Sequence, residues 1–195
     1  MRSIKITPQP VANFRKKAKL SGIAMLSALC LAGMTSCTDK EDSPIVNTFN
    51  QQDKNFALSS SENINAQIKF GELAKANGQD GSIMDYGQRI LDENNASKTE
   101  LEGIVDGKDV TISKEVSDVM NAKYMELAAL SGKDFDRAFI NFQLAALDDF
   151  KTIYENEKNN GENFTLKGFA DKTLGKIKEL KAKALKVKAE IELGL

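Results

Sequence analysis

The longest unbroken helical pattern in the middle of the chain covers residues 132–154. Large apolar side chains recur there three and four positions apart, which is the spacing that places side chains on one face of an α-helix. These residues are Phe135, Phe139, Phe142, Ala146, Phe150 and Ile153. The charged residues that fall mostly off this face are Asp134, Asp136, Asp148, Asp149 and Lys151. We therefore predict an amphipathic helix whose apolar face needs several other helices around it.

The most regular pattern belongs to residues 163–192. Apolar or small residues alternate four and three positions apart there, with lysines on the flanks. They are Leu166, Ala170, Thr173, Ile177, Leu180, Ala184, Val187 and Ile191. A sustained 4-3 spacing is typical of helices packed at about 20°. This helix is therefore expected to lie along one seam of a helical bundle.

Two further helices are predicted before the central one. The first begins between residues 53 and 61 and ends at Asn77-Gly78, where we expect a left-handed stop. The second runs from about residue 79 to residue 103. Its inward side chains are Ile83, Tyr86, Ile90, Leu101 and Ile104. Asn94 and Ser97 are polar residues that interrupt that face. They could form a buried polar network or lie at a solvent-exposed helix crossing, and we favour the solvent-exposed crossing.

A short helix is expected between the second helix and the central one. Ser113 is predicted to cap it, and it ends at Ser131-Gly132. Its expected inward residues are Val116, Val119, Met120, Leu127 and Leu130. Together these patterns predict an all-α fold, an up-and-down bundle of four long helices and one short helix that occupies residues 53–195.

The first 36 residues have the pattern of a signal peptide. Residues 1–19 are basic, and residues 20–34 form an uncharged apolar run whose length suits a signal-peptide core and is too short to span a bilayer comfortably. Thr35 and Ser36 then precede Cys37. Small residues before a cysteine resemble a lipobox, at which a bacterial signal peptide is cleaved and the cysteine is lipidated. A cleaved secretory peptide with an incidental cysteine is the alternative.

Lipidation of Cys37 would give the mature chain a membrane anchor that carries fatty acids such as palmitate. Residues 37–52 then form a tether. Within it, Lys40, Glu41 and Asp42 resemble the surface-export signal of lipoproteins in some Gram-negative bacteria, and a polar spacer accounts for them equally well. We expect an outer membrane lipoprotein that faces the periplasm or the cell surface. Its expected partner is the membrane itself, and the sequence identifies no protein partner.

Charge and composition limit the partners and the reactions that we expect for this chain. The first 36 residues hold six cations and no acid, so the remainder carries a net charge of about −7. Nucleic acid is therefore not expected as a partner, because phosphate binding needs concentrated Lys and Arg. Histidine is absent, which removes the commonest transition-metal ligand and the usual general base near neutral pH.

Five carboxylates could in principle build an all-oxygen metal site: Glu62, Glu72, Glu93, Asp148 and Asp149. A solvated helix face is the preferred interpretation, because an unpaired carboxylate buried without a metal is costly. No serine or cysteine has a histidine base to activate it. We therefore predict no metal, no cofactor and no catalytic residue.

Two segments resemble a known family. Residues 67–74, QIKFGELA, and residues 132–139, GKDFDRAF, together with the lipoprotein-type leader, look like the helical bundles grouped as domain of unknown function 4142. The resemblance covers residues 53–188. It implies a ferritin-like four-helix fold and a place in the cell envelope, and it implies no established reaction.

The chain departs from that family at three positions. Members usually carry a histidine late in the second helix, one in the fourth helix and one in the fifth helix. The corresponding residues here are Glu93, Leu147 and Leu180. If the family's histidines bind metal, this chain has replaced most of the cluster with hydrocarbon.

The sequence therefore favours a non-enzymatic, lipid-anchored cell-envelope protein with a structural, interaction or binding role. One alternative is a ferritin-like metal-binding or redox protein with a carboxylate-only site. Another is a carrier of a small apolar ligand in the bundle core, which requires a cavity. The lysine-rich stretch of residues 172–188 is interpreted as a soluble helix face in preference to a contact with anionic lipid or an acidic partner.

Overall fold

A computed structural model of the chain describes residues 47–194. Its elements are α1 (Gln51–Asn77), α2 (Gly81–Val105), α3 (Asp118–Ala128), α4 (Gly132–Asn160) and α5 (Phe164–Leu193). This confirms the predicted all-α bundle of four long helices and one short one. No helix within the described range is both long and apolar enough to cross a membrane. The predicted signal peptide, Cys37 and the Lys40, Glu41 and Asp42 segment lie outside the described residues.

The four long helices form a closed ring in which α1 packs on α2 and α4, and α5 packs on α2 and α4. The connection from α2 to α4, which contains α3, runs back along α1 for its whole length. At one end Lys54 pairs with Asp109 at 2.7 Å, and at the other the Asn77 side chain donates to the Leu130 carbonyl at 3.4 Å. As a result α2 and α4 run in the same direction. One long crossover of this kind is typical of ferritin-like bundles.

Aromatic side chains fill much of the interior. Phe135 and Phe139 of α4 are fully buried, and their rings stack with centroids 5.5 Å apart. Further along, Phe56 of α1 meets Tyr154 of α4 edge to face at 5.1 Å. The predicted seam of α5 is confirmed, because its residues from Leu166 to Val187 are buried and Ile191 is half-buried at the end of the bundle.

The ends of α1 differ in part from the prediction. The helix begins at Gln51, inside the predicted tether, because Asn50 and Asp53 form a reciprocal capping box there. It ends at Asn77 as expected, but the predicted left-handed stop is wrong, since Gly78 has an extended backbone with φ −61°. Glycine is needed there for space: an added Cβ would lie 2.6 Å from the Ala74 carbonyl oxygen and 2.8 Å from Ile83.

The short helix α3 also begins later than predicted. Ser117 caps it, while Ser113 accepts from the Glu115 amide at 3.0 Å and donates its own amide to the Ser61 hydroxyl at 2.7 Å. The capping role predicted for Ser113 is therefore wrong: the residue holds the crossover against α1. Val119 was expected inside and is 76% exposed, because it lies in the first turn of the shortened helix, on its outer face.

Candidate site at the centre of the bundle

A small polar cavity lies among α1, α2, α4 and α5. Its volume is about 30 Å³, which leaves room for roughly one or two water molecules. The polar residues that line it are Asn63, Gln67, Glu93, Asn94, Ser97, Thr173 and Lys176. Its apolar wall includes Ile64, Leu147, Phe150, Tyr154, Ile177 and Leu180.

Lys176 contacts two polar residues of α2 on one side of this cavity. Its ammonium group donates to the Ser97 hydroxyl at 3.1 Å and faces the Glu93 carboxylate at 3.5 Å. Ser97 is only 3% exposed and donates in turn to the Glu93 backbone carbonyl at 2.8 Å. The solvent-exposed crossing favoured for Ser97 is therefore wrong. Ser97 belongs to a buried polar network, because the long side chain of Lys176 reaches it from α5.

This serine and lysine contact does not have the arrangement of a nucleophile and its base. Lys176 faces a carboxylate, and the Ser97 hydroxyl hydrogen is directed at a backbone carbonyl. A general base must instead accept the nucleophile's proton while the nucleophile faces a substrate. A cavity of about 30 Å³ also leaves no space for an acyl group beside Ser97. The contact holds α2 and α5 together.

The three positions at which the resemblance places the family's histidines all line this one cavity: Glu93 on α2, Leu147 on α4 and Leu180 on α5. The fold thus brings together residues that are far apart in the sequence. In this chain one of them is a carboxylate already paired with Lys176, and the other two present only hydrocarbon. The cavity wall offers one carboxylate, the Lys176 ammonium group, and neutral amides and hydroxyls, a set that fits bound water better than a transition metal.

The remaining predicted carboxylates do not gather at a common point. Glu72, Asp148 and Asp149 are exposed, Glu62 is half-buried, and Asp148 pairs with Lys181 on the outside of the α4–α5 hairpin. Within residues 47–194 no group of three or more Cys, Asp or Glu residues is placed so that it could hold a metal ion. The described part of the chain therefore contains no carboxylate cluster that would support the carboxylate-only metal site.

Three buried carboxyl groups that the pattern did not identify lie near the ends of the bundle: Asp53, Asp136 and Glu157. Asp136, which was predicted on the wet side of α4, is 2% exposed and accepts from the backbone amides of Gln79 at 3.0 Å and Asp80 at 2.9 Å. It holds the turn between α1 and α2. Glu157, at the other end, is fully buried beside Asp53, and burial raises the pKa of Glu157 to about 7 with a further contribution from Asp53.

The lysine-rich stretch of α5 is largely neutralised by its neighbours. Five of its seven lysines form ion pairs: Lys172 with Glu100, Lys176 with Glu93, Lys181 with Asp148, Lys186 with Glu190 and Lys188 with Glu192. Exposed pairs of this kind contribute little to stability. They do offset much of the positive charge that a contact with an anionic surface would need.

A larger groove lies on the outer surface of the α4–α5 hairpin. It has a volume of about 430 Å³ and is open to solvent. Leu174, Ala182 and Leu185 contribute to its floor, and Lys151 and Lys178 stand among the residues at its border. The alternative function, a carrier of a small apolar ligand, requires a cavity in the bundle core. The cavity of about 30 Å³ among α1, α2, α4 and α5 is too small for a ligand of that class.

Comparison with known proteins gives one match. The family described as Domain of unknown function (DUF4142) matches residues 40–187, which is about three quarters of the chain. No curated protein and no solved structure matches the sequence.

Proposed function

The chain belongs to the DUF4142 family, and from that premise we propose that it is a lipid-anchored protein of the cell envelope with a structural or binding role and no catalytic centre. The observation that carries the proposal is the apolar run of residues 20–34 followed by Thr35, Ser36 and Cys37. The basic stretch and short apolar core have the order of a signal peptide, and the small residues before a cysteine resemble a lipobox.

The bundle supports a role without catalysis. A reaction needs a substrate-sized space and convergent reactive groups, and the interior offers a cavity of about 30 Å³ with a satisfied lysine and serine contact. The buried carboxyl groups Asp136 and Asp53 are both used to hold backbone amides. These two carboxyl groups thus hold the ends of the bundle together.

The location is tested by comparing Cys37→Ser with Cys30→Ser in cells fed radioactive palmitate. We expect the wild type and Cys30→Ser to carry the label and to sediment with the outer membrane. Cys37→Ser should lose both properties. Cys30 is a matched control, because it lies inside the apolar core and would leave with the signal peptide. Label that persists in Cys37→Ser, or is missing from the wild type, would refute the anchor.

The absence of a metal centre is tested on the purified mature chain by elemental analysis. We expect iron, manganese and zinc well below one equivalent, because the cavity presents Glu93 as its carboxylate and that group is paired with Lys176. A stoichiometric metal that is lost in Glu93→Gln would favour the carboxylate-only alternative. Lys151→Gln serves as a control variant, since Lys151 lies on the outer surface away from the cavity.

A further inference from the structure

The described chain enters the bundle beside an exposed aromatic residue. Asn47 uses its side chain to accept from the Phe164 amide at 2.9 Å and to donate to the Thr165 hydroxyl at 3.0 Å. Asn163 adds two longer contacts from its side-chain amide to the carbonyls of Asn47 and Thr48, each at 3.3 Å. The point of entry is therefore held against the first turn of α5.

Phe164 is the most exposed large apolar side chain among the described residues, with 79% of its surface accessible. It occupies the first position of α5, directly after the capping residue Asn163, whose side chain accepts from the Leu166 amide at 3.0 Å. The cap fixes the helix start, so the phenyl ring is held outward at the end of the bundle. A phenyl ring exposed in this way can bury its apolar surface at the headgroup and acyl-chain boundary of a bilayer.

The distance to the predicted anchor is short. Asn47 lies ten positions after Cys37, and ten residue steps can span at most about 35 Å. Since α5 has 30 residues, its far end at Leu193 lies about 44 Å beyond Phe164. The end of the bundle that carries Phe164 is thus the one that the anchor keeps near the lipid.

Charge does not oppose this contact. The ionisable residues at this end nearly balance one another, with Lys54, Lys108, Lys158 and Lys167 against Asp53, Glu102, Asp106, Asp109 and Glu162. Glu157 is buried and adds at most a partial negative charge near neutral pH. The domain as a whole is acidic, so this end is less repelled by an anionic lipid surface than the rest of the bundle.

We infer that the bundle stands on the bilayer through the end formed by Asn47, Phe164 and the loop after α2, with the Phe164 ring in the lipid headgroup region. The inference rests on the lipid anchor proposed above. The partner is the surface of the bilayer that holds the anchor. The opposite end, with the turn between α1 and α2 and Leu193, then points away from the membrane and remains available to other molecules.

The chain contains no tryptophan, so a single Trp reports one position. We would prepare Phe164→Trp and, as a matched control at the far end, Leu193→Trp, which replaces a residue that is 72% exposed. Each lipidated full-length mature protein is reconstituted into phosphatidylcholine and phosphatidylglycerol vesicles with brominated acyl chains. Trp at position 164 should lose about half of its emission and shift to shorter wavelength, as expected of an interfacial aromatic. Trp at position 193 should be unchanged.

Equal quenching at both positions, or no quenching at position 164, would overturn the inference. Vesicle flotation and the mass of the protein distinguish a wrong orientation of the bundle from failure of the lipid anchor. A protein that floats and carries fatty acid but shows an unquenched Trp at position 164 overturns the orientation alone. A protein without fatty acid overturns both proposals. Circular dichroism checks folding, and acrylamide gives a second measurement, because lipid contact should protect position 164 and leave position 193 accessible.

Discussion

The carboxyl group of Glu157, near the end of α4, lies against the carboxylate of Asp53 in the first turn of α1. Asp53 accepts hydrogen bonds from the backbone amides of Asn50, Glu162 and Asn163 at 2.7 to 3.2 Å. Glu157 accepts only from the Gln52 side chain, at 3.2 Å, and its other oxygen has no donor within the described residues. A neutral, protonated Glu157 fits this site, since two adjacent buried carboxylates would repel.

This pair makes the stability of the bundle depend on pH. Because the pKa of Glu157 is raised from 4.5 to about 7, its favourable contribution is complete below pH 4.5 and is lost as the pH rises through 7. We expect the free energy of unfolding to fall by about 2 to 3 kcal/mol between pH 5 and pH 8 from this group. Urea denaturation across that range measures the change.

Glu157→Gln is the matched control for this pH effect, because glutamine keeps the shape and cannot ionise. The variant should remove most of the decrease between pH 5 and pH 8 and should be more stable than wild type at pH 8. The same decrease in both proteins would mean that another group titrates.

Asp136 should be important for stability, because it is the acceptor for two amides of the α1–α2 turn. Asp136→Asn retains one acceptor oxygen and places an NH₂ group against the other amide, so we expect a loss of about 2 kcal/mol. The melting temperature should fall by about 4 to 8 °C. Asp134→Asn, at an exposed site in the first turn of the same helix, should change stability by less than about 1 kcal/mol. Similar losses in both variants would show that the buried contact is unimportant.

The close approach of α1 and α2 depends on glycine. A Cβ added at Gly87 would lie 2.7 Å from the Ala74 Cβ and 2.9 Å from the Gly71 carbonyl oxygen. Gly87→Ala should therefore destabilise the bundle by about 1 to 3 kcal/mol, despite the better helix propensity of alanine.

Gly103→Ala, in the same helix, meets no atom within 4 Å and should stabilise by up to about 1 kcal/mol. Thermal unfolding of the two variants should move in opposite directions. Stabilisation by both substitutions would contradict the crowded crossing at Gly87.

Gln143 is fully buried, and neither atom of its amide group has a hydrogen-bond partner among residues 47–194. Gln143→Met preserves the length of the side chain and removes the unpaired amide, so the free energy of unfolding should rise by about 1 to 2 kcal/mol. Gln88→Met, at an exposed site on α2, should change it by no more than about 0.5 kcal/mol. A destabilised Gln143→Met protein would indicate that the amide has bound water as a partner.

The spacing of apolar residues was sufficient for the helices. The 3-4 periodicity located α5 to within about one residue at each end and identified its buried seam from Leu166 to Val187. It placed the start of α4 at Gly132, and the helix continues to Asn160, beyond the apolar pattern of residues 132–154. It failed at α3, where Ser113 and Ser117 are both plausible caps in sequence. The choice between them depends on the Ser61 hydroxyl of α1, which lies 52 positions away and occupies the Ser113 amide.

The polar interior could be predicted only in part. Ser97 and Asp136 look like surface residues in their local sequence, and each is buried because a distant segment supplies its partner. The partner of Ser97 is Lys176. The partners of Asp136 are the backbone amides of Gln79 and Asp80. Their sequence separations are 79, 57 and 56 residues. Local periodicity contains no information about such partners.

The sequence by itself determined the all-α fold and the number of helices, because the geometry of one helix decides which side chains share a face. Family membership also rests on sequence alone. Only the tertiary structure decided which polar residues are buried and that Glu93, Leu147 and Leu180 meet at one cavity. Those outcomes depend on how separate helices are placed against one another, and a buried polar group is tolerated only where that placement brings it a partner.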